Sequence, residues 1–286
     1  MNKSLIVYYS QGGTTAKVAK AIAAGLRAAG YQSDLYNVKD ELPPEPDDYD
    51  VLGIGSPTYY FRPSFNVIDY LNGLSELNGL PAFVFTLHGT YQGDCGNVIR
   101  QALAQKGTQD AGYFHCYGAD YFYGYVKEGY LFSPDSPTAG ELAQAENFGR
   151  EIADRVDGRQ YIKTPDDPHP GLVHRMERFL FNRWLINQVY SRLFSLNRDE
   201  CSSCGLWIEG CPTENISEDK NHYPVWGRNC LLCLTCEMMC PDDAIASVMD
   251  WPIFLPPLKY NIFHASRDPT LEHVRVTHSQ GKNQRL

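Results

Sequence analysis

In the first half of the chain, short apolar runs alternate with segments whose apolar positions recur three and four residues apart. The runs lie near residues 4–9, 32–37, 50–55, 81–87 and 112–117 and predict five strands. After the first run, Val18, Ala19, Ile22, Ala23 and Leu26 share one helical face. Val98, Ile99, Ala102 and Leu103 share a second face, and Ala145, Phe148, Ile152, Ala153 and Val156 a third. Strands alternating with helices predict a parallel sheet covered on both sides. The expected fold class is α/β, a doubly wound five-strand parallel sheet over residues 1–157, followed by something smaller.

In such a sheet a ligand sits beyond the carboxyl ends of the strands, where the strand order reverses, so the loops after strands one, three and four matter most. The first reads Ser10-Gln11-Gly12-Gly13-Thr14-Thr15 and runs straight into a helix. Small residues, free N–H groups and hydroxyls at a helix N-terminus make an anion cradle. The loop lacks the lysine of a triphosphate-binding loop and the G-x-G-x-x-G spacing of a dinucleotide fingerprint, so a monophosphate such as that of flavin mononucleotide (FMN) fits better. The bland alternative is an ordinary strand-to-helix turn capped by threonine.

The second loop, Ser56-Pro57-Thr58-Tyr59-Tyr60-Phe61-Arg62-Pro63, is expected to interrupt a strand with three consecutive aromatics, which suit a flat apolar partner. The third, His88-Gly89-Thr90-Tyr91-Gln92-Gly93, has glycines that let backbone N–H groups approach a ring closely. Tyr59 and His88 taken singly also read as ordinary packing.

Composition changes the picture after residue 200. The 286 residues contain nine cysteines, and seven crowd between Cys201 and Cys240. Such clustering favours metal ligation over a disulfide framework. Cys230-x2-Cys233-x2-Cys236-x3-Cys240-Pro241 has the spacing of a bacterial iron–sulfur run, whereas zinc does not explain a fourth cysteine followed by proline. A shift of 29 residues maps Cys201, Cys204, Cys211, Pro212 and Ile216 onto Cys230, Cys233, Cys240, Pro241 and Ile245, an internal repeat. Cys95 and Cys116 stand apart and read as inert thiols.

Two resemblances follow from these residues. Ile6-Val7-Tyr8-Tyr9-Ser10, Gly13-x-Thr15-x3-Ala19 and Gly55-Ser56-Pro57-Thr58-Tyr59 resemble the flavodoxin family over about residues 1–157, with Thr14 in place of the usual Asn. That resemblance implies strand order 2-1-3-4-5, FMN phosphate on Ser10, Gln11, Gly12, Gly13, Thr14 and Thr15, and the ring against Ser56, Pro57, Thr58, Tyr59, Tyr60, Phe61, His88, Gly89, Thr90, Tyr91 and Gly93. Residues 199–249 resemble a two-cluster bacterial ferredoxin, a small α+β iron–sulfur domain in which the fourth cysteine of each run ligates the other run's cluster. Cluster B then takes Cys211, Cys230, Cys233 and Cys236 and is a 4Fe-4S cluster. Cluster A takes Cys201, Cys204 and Cys240, but Trp207 stands where Cys236 stands in the second repeat, and an indole N–H offers no lone pair. Site A is then a 3Fe-4S cluster, a 4Fe-4S cluster with one open corner or a carboxylate such as Glu209, or an empty vestige.

Between these regions, a linker over 158–198 carries Met176, Phe179, Leu180, Trp184, Leu185, Ile186, Val189, Tyr190, Leu193 and Phe194 on a broad apolar face dotted with arginines. Its first reading is packing of one domain onto the other, and membrane contact is not expected; an interfacial membrane helix is the competitor. Residues 118–137 form an aromatic connection, read as packing for the second domain with a lid as the alternative. Residues 250–286 are expected to wrap the surface as a C-terminal extension.

The whole arrangement resembles a flavodoxin–ferredoxin fusion family. The resemblance implies electron transfer between FMN and the cluster or clusters, exchanged with a redox partner protein or a small-molecule acceptor. An FMN-dependent reductase supplied by the cluster is the alternative, and a redox sensor without turnover the third reading. Catalytic residues are not assigned, and an oxidoreductase-type flavoprotein is as far as the enzyme question goes. A net charge of −9 argues against nucleic acid as partner. With no run of eighteen apolar residues and no secretion signal before the first strand, a cytoplasmic protein is expected.

Overall fold

The computed structural model describes residues 1–161, 164–169 and 171–283. The chain divides into two compact units: Met1–Ala119 with Asp135–Pro170, and Asp120–Pro134 with Gly171–Leu286. The expected linker and C-terminal extension each include residues outside those described, 162, 163 and 170 in the one and 284–286 in the other.

The first unit runs β1 (Lys3–Tyr8), α1 (Thr14–Ala28), β2 (Gln32–Asn37), β3 (Val51–Tyr59), β4 (Arg62–Pro63), α2 (Phe65–Gly73), β5 (Pro81–His88), α3 (Cys95–Gln105) and β6 (Gln109–Tyr117), and, after a segment given to the second unit, α5 (Ala139–Asp157). The sheet order is β2-β1-β3-β5-β6 with every neighbouring pair parallel. Counted without the short β4, this is the expected 2-1-3-4-5. Burial on both faces explains the near-continuous apolar run of β5.

Two glycine pairs set the packing distances. Gly25 on α1 and Gly149 on α5 let those helices touch backbone to backbone, because a Cβ there would lie 1.9 Å from Glu146 O and 2.1 Å from Ile22 O. Gly53 and Gly55 on β3 leave room for the Phe83 and Phe85 rings of β5. The faces read from periodicity lie inward: Val18, Ala19, Ile22, Ala23 and Leu26 are fully buried, as are Ile99, Ala145 and Ile152. α5 starts where a capping box forms, Thr138 accepting from the Glu141 N–H and the Glu141 carboxylate from the Thr138 N–H. β1 has β2 on one side and β3 on the other, so the order reverses there and the loop after β1 opens onto the switch point.

The second reading of a loop needs correction. Ser56 to Tyr59 does not interrupt the strand; it continues β3, with Ser56 pairing Thr86 and Pro57 pairing Leu87 of β5. Ser56 is fully buried, its hydroxyl set against that of Ser64. The connection shrinks to Tyr60 and Phe61, because Thr58 and Tyr59 pair antiparallel with Pro63 and Arg62 of β4.

The second unit comprises α4 (Tyr123–Lys127), β7 (Tyr130–Phe132), α6 (Leu172–Leu180), α7 (Arg183–Gln188), β8 (Ser195–Leu196), α8 (Leu206–Glu209), β9 (Ile216–Glu218), β10 (Pro224–Trp226), α9 (Thr235–Met238), β11 (Ile245–Ala246), α10 (Leu255–Ala265), β12 (His273–Arg275) and α11 (His278–Asn283). The 29-residue repeat is visible in the backbone. It carries α8 onto α9, β8 onto β10 and β9 onto β11. It also carries the left-handed residues Ser203, Gly205 and Glu214 onto Leu232, Leu234 and Asp243. The strands exchange between repeats, β8 pairing β11 and β10 pairing β9, the pattern of two similar halves about a local two-fold.

The aromatic connection belongs to this unit. Tyr123 and Phe132 are buried, β7 pairs β12, and Lys127 makes ion pairs with Glu237 and Asp250. The Tyr123 hydroxyl lies 2.9 Å from His278 Nε2. Packing within the second domain, the first reading of the segment, accounts for these aromatics.

Candidate functional site

In the first unit, the loops at the carboxyl ends of the strands converge through short contacts. Ser10 is held from three sides: its N–H donates to Asn37 Oδ1 (3.1 Å), its carbonyl accepts from Asn37 Nδ2 (3.2 Å), and its hydroxyl accepts from the Ala16 N–H at the start of α1 (3.1 Å). This anchors the loop and takes up the Ala16 N–H, one of the first N–H groups of the helix. Gly13 sits at φ +86° with nothing within 4 Å of where a Cβ would stand. The result is an open N-terminus on a 15-residue helix, with Gly12 exposed and Thr14 half-buried beside it. Ser10 and Thr15 are buried, so of the three expected hydroxyls Thr14 is the accessible one.

Tyr59 donates its hydroxyl hydrogen bond to Gln11 Oε1, tying the end of β3 to the first loop. Tyr60 and Phe61 both adopt left-handed φ, 48° and 63°. A two-residue hairpin connection of this hand ordinarily takes Asn or Gly, and bulky residues there carry on the order of 1–3 kcal/mol of strain each. Phe61 is buried while Tyr60 is half-exposed. Gly93 is required by the same turn, since a Cβ would come within 2.6 Å of Phe61 O. Phe61 and Tyr91 rings lie 5.9 Å apart, and the Thr58 hydroxyl donates to Gln92 O at 3.2 Å, which joins the second and third loops.

His88 ends β5, buried beside the rings of Tyr117 (4.7 Å) and His115 (5.8 Å). Burial first, and the charge of His115 second, push its pKa down to about 4, so the imidazole is neutral near pH 7. His88 Nδ1 and Gln11 Nε2 are buried atoms without a hydrogen-bond partner among the described residues. An open helix N-terminus, a half-exposed tyrosine turn and two buried polar atoms lacking partners match a phosphate-bearing planar ring, so the residues present fit FMN.

Three residues of this site carry no sequence signal. Asn37 is found only by its position at the end of β2. Asp167, buried, accepts from Gln92 Nε2 (2.7 Å) and from the Asn97 N–H (3.1 Å), fastening the third loop from below. Arg100 holds the residues just before Asp167 through the carbonyls of Thr164 and Pro165. Cys95 and Cys116 are buried and burial pushes both thiols up, which makes them unreactive.

In the second unit, Cys211, Cys230, Cys233 and Cys236 line one pocket together with Phe194, Ile216, Trp226, Leu231 and Leu234. Three come from the second repeat and one from the first. Backbone N–H groups are aimed at the sulfurs: Asn215 N to Cys211 Sγ and Leu232 N to Cys230 Sγ, each 3.2 Å. The Trp226 indole lines the same pocket, its buried Nε1 without a hydrogen-bond partner among the described residues. Burial, and then the neighbouring thiols, push Cys230 and Cys236 up. Sulfurs in an apolar pocket with N–H donors directed at them suit a soft, multiply charged metal centre. No three His, Cys, Asp or Glu side chains among the described residues gather tightly around a single ion position. A four-iron cluster spreads its ligands round a larger body, and four thiolates lining one pocket fit it.

Site A differs. Cys240 is buried and accepts from the Ala244 N–H at 3.2 Å, the counterpart of the Asn215–Cys211 bond. Cys201 is half-buried and Cys204 exposed. Trp207 is 3% exposed, and its Nε1 has no partner among the described residues. Three thiols and an N–H donor do not complete a four-thiolate site.

Comparison with known proteins agrees with the first unit. A family model described as a flavodoxin domain matches residues 5–125. An uncharacterised protein of Methanocaldococcus jannaschii is 29% identical over 153 residues, 52% of this chain and 97% of that protein. An NAD(P)H dehydrogenase (quinone) of Paraburkholderia phymatum is 28% identical over 134 residues, 40% of this chain and 63% of that enzyme, so the match spans less than two thirds of its length. Among solved structures, an archaeal flavodoxin aligns at 18% identity and TM-score 0.43, covering 54% of this chain and 99% of its own. A WrbA-like flavodoxin from Agrobacterium tumefaciens aligns at 18% identity and TM-score 0.42, covering 57% and 100%. By the family model, residues 5–125 form a flavodoxin-like domain. Among the described residues no helix is long and apolar enough to cross a membrane.

Proposed function

We propose that this chain transfers electrons between FMN, bound on the first unit, and a single 4Fe-4S cluster, bound on the second by Cys211, Cys230, Cys233 and Cys236, and exchanges them with a separate redox partner. The observation that carries the proposal is the shared pocket of those four cysteines, supplied by both repeats and faced by backbone N–H groups. Flavin exchanges one or two electrons and an iron–sulfur cluster one, so the pair converts between the two scales.

The chain's own residues have definite parts in this reading. Gly13 and Thr14 present N–H and hydroxyl donors to the phosphate at the head of α1. Ser10, clamped by Asn37, keeps that cradle open. Tyr60 is held outward by the strained turn, where it can lie against the ring, and Gln11 and His88 offer polar atoms to its edge. A neutral His88 adds no positive charge there, so it does not favour an anionic ring. In the second unit, the apolar wall of Phe194, Ile216 and Leu234 excludes water, and the N–H groups of Asn215 and Leu232 stabilise charge on sulfur. Holding both centres on one polypeptide raises the effective concentration of each for the other.

At site A the presence of Trp207 supports no four-iron cluster, and the proposal assigns one cluster per chain. A second reading, an FMN-dependent reductase of a small molecule, is favoured by the similarity to an NAD(P)H dehydrogenase (quinone). The test is anaerobic reduction followed by mixing with acceptors. A carrier gives up electrons to several one-electron acceptor proteins and slowly to quinones, whereas a reductase is oxidised rapidly by a quinone and retains that rate when Cys233→Ser removes the cluster.

A further inference from the structure

Helix α6 is built inside out. Its outward stripe is Leu172, Met176 and Phe179, spaced four and three residues apart and exposed by 75%, 59% and 73%. Its inward side carries a carboxylate: Glu177 is buried and accepts from Asn261 Nδ2 of α10 at 3.1 and 3.2 Å. Soluble helices bury the apolar stripe and expose the charge, so this apolar ridge has an occupant of its own. Only part of the linker's apolar face is packed: Phe181, Ile186, Tyr190 and Phe194 are buried, whereas Trp184 is 66% exposed. Ile253, just before α10, and Phe263, within it, are likewise exposed, by 71% and 53%.

The charge around this ridge identifies the occupant. α6 and α10 carry the exposed Arg175 and Lys259, α6 and α7 also Arg178 and Arg183, and the carboxylates on and just past these helices are Glu177, which is buried, and Asp268. Arg267 lies over the Phe263 ring at 3.4 Å. In a chain of net charge −9 this is a local concentration of cations. A second copy of the chain is a poor occupant, because a two-fold contact would set arginine against arginine. Exposed Leu, Met, Phe and Trp side chains on helices that also carry Arg and Lys match the headgroup boundary of an anionic bilayer, which needs no shaped groove to receive them.

We infer that the α6–α10 face of the second unit docks the protein on anionic membrane surfaces, with Leu172, Met176, Phe179 and Trp184 entering the headgroup region. The inference stands apart from the electron-transfer reading and concerns where the protein works. Its test is flotation of the full chain, purified anaerobically with its native cofactors, on phosphatidylcholine vesicles with and without phosphatidylglycerol.

The expected result is flotation with phosphatidylglycerol that is reversed by salt and absent on phosphatidylcholine alone. Arg175→Gln with Lys259→Gln weakens it roughly thirtyfold, and Leu172→Ser with Phe179→Ser at least about tenfold. All four side chains are exposed, so melting and the visible spectrum stay as in the parent. If the apolar double variant does not fold, the charge variant alone decides. No flotation on phosphatidylglycerol overturns the inference, as does flotation on both vesicle types that neither variant changes. A dimer by light scattering that Phe179→Ser splits, in a protein that does not float, overturns it in favour of self-association.

Discussion

The two cysteine repeats of the second unit share a backbone and differ in their side chains. Both have a four-residue helix, left-handed residues at matching offsets, and an N–H donated to the sulfur of their last cysteine at 3.2 Å. At the third ligand position one has Cys236, lining a common pocket with three other thiols; the other has Trp207, buried, with Cys204 left exposed. The two repeats thus share a backbone, while only one presents three cysteines to the common pocket and the other buries the Trp207 indole at the matching position.

The largest effect that sharpens this contrast comes from removing site B ligands. Cys233→Ser or Cys236→Ala is expected to abolish iron and the charge-transfer absorption and to unfold much of the second unit, because metal-binding free energy is folding free energy in such small sites. The same changes at Cys201 and Cys204 leave iron content and melting near those of the parent, measured by iron assay and circular dichroism. Loss of iron from the Cys204 variant breaks the contrast.

Trp207→Cys comes next and tests it from the other side. Because the backbone of the first repeat already matches the second, the variant is expected to roughly double the iron after anaerobic reconstitution, from about four to about eight per chain. An unchanged count would mean that the exposed position of Cys204 prevents closure of site A.

A pH effect tests the helices beside the repeats. Glu177 is raised by burial to about 7 from an ordinary 4.5, with the Asn261 hydrogen bond opposing. A carboxyl whose folded value is raised favours the folded state at low pH, and this stability is lost as pH rises from about 4.5 through 7. Glu177→Gln is expected to recover on the order of 2 kcal/mol at pH 8 and little at pH 4.5. Denaturant melts at the two pH values check it, and the cluster absorption should not change.

The smallest effect lies in the first unit. Tyr60→Gly relieves one left-handed residue and should stabilise the flavin-free protein by about 1 kcal/mol, while weakening FMN binding in a fluorescence titration. If binding is unaffected, the strained turn has no part in holding the ring.

Periodicity was enough to read the sheet and its helix faces, since Val18, Ile22 and Leu26 repeat at helical spacing and lie fully inward. The cysteine repeat was legible for a different reason: ligand spacing is a local property of the chain. What escaped depends on partners distant in sequence. Ser56 to Tyr59 reads as a break in the strand because polar residues follow apolar ones, yet β5 supplies hydrogen bonds that keep them extended. Nothing in Tyr60-Phe61 signals a left-handed turn, which is ordinarily marked by Gly or Asn. Asp167 reaches Gln92 from 75 residues away. The face of α6 is plain as a periodicity, but periodicity alone reads as burial, and only the structure reveals that the apolar stripe points outward.

The central claim is one flavin and one four-iron cluster on a chain whose second cage is plugged. Protein purified without oxygen and assayed together for iron, acid-labile sulfide and flavin per chain tests it most directly. The account predicts about four irons, a matching amount of sulfide and one FMN; zinc in place of iron, about eight irons, or protein without flavin would contradict it.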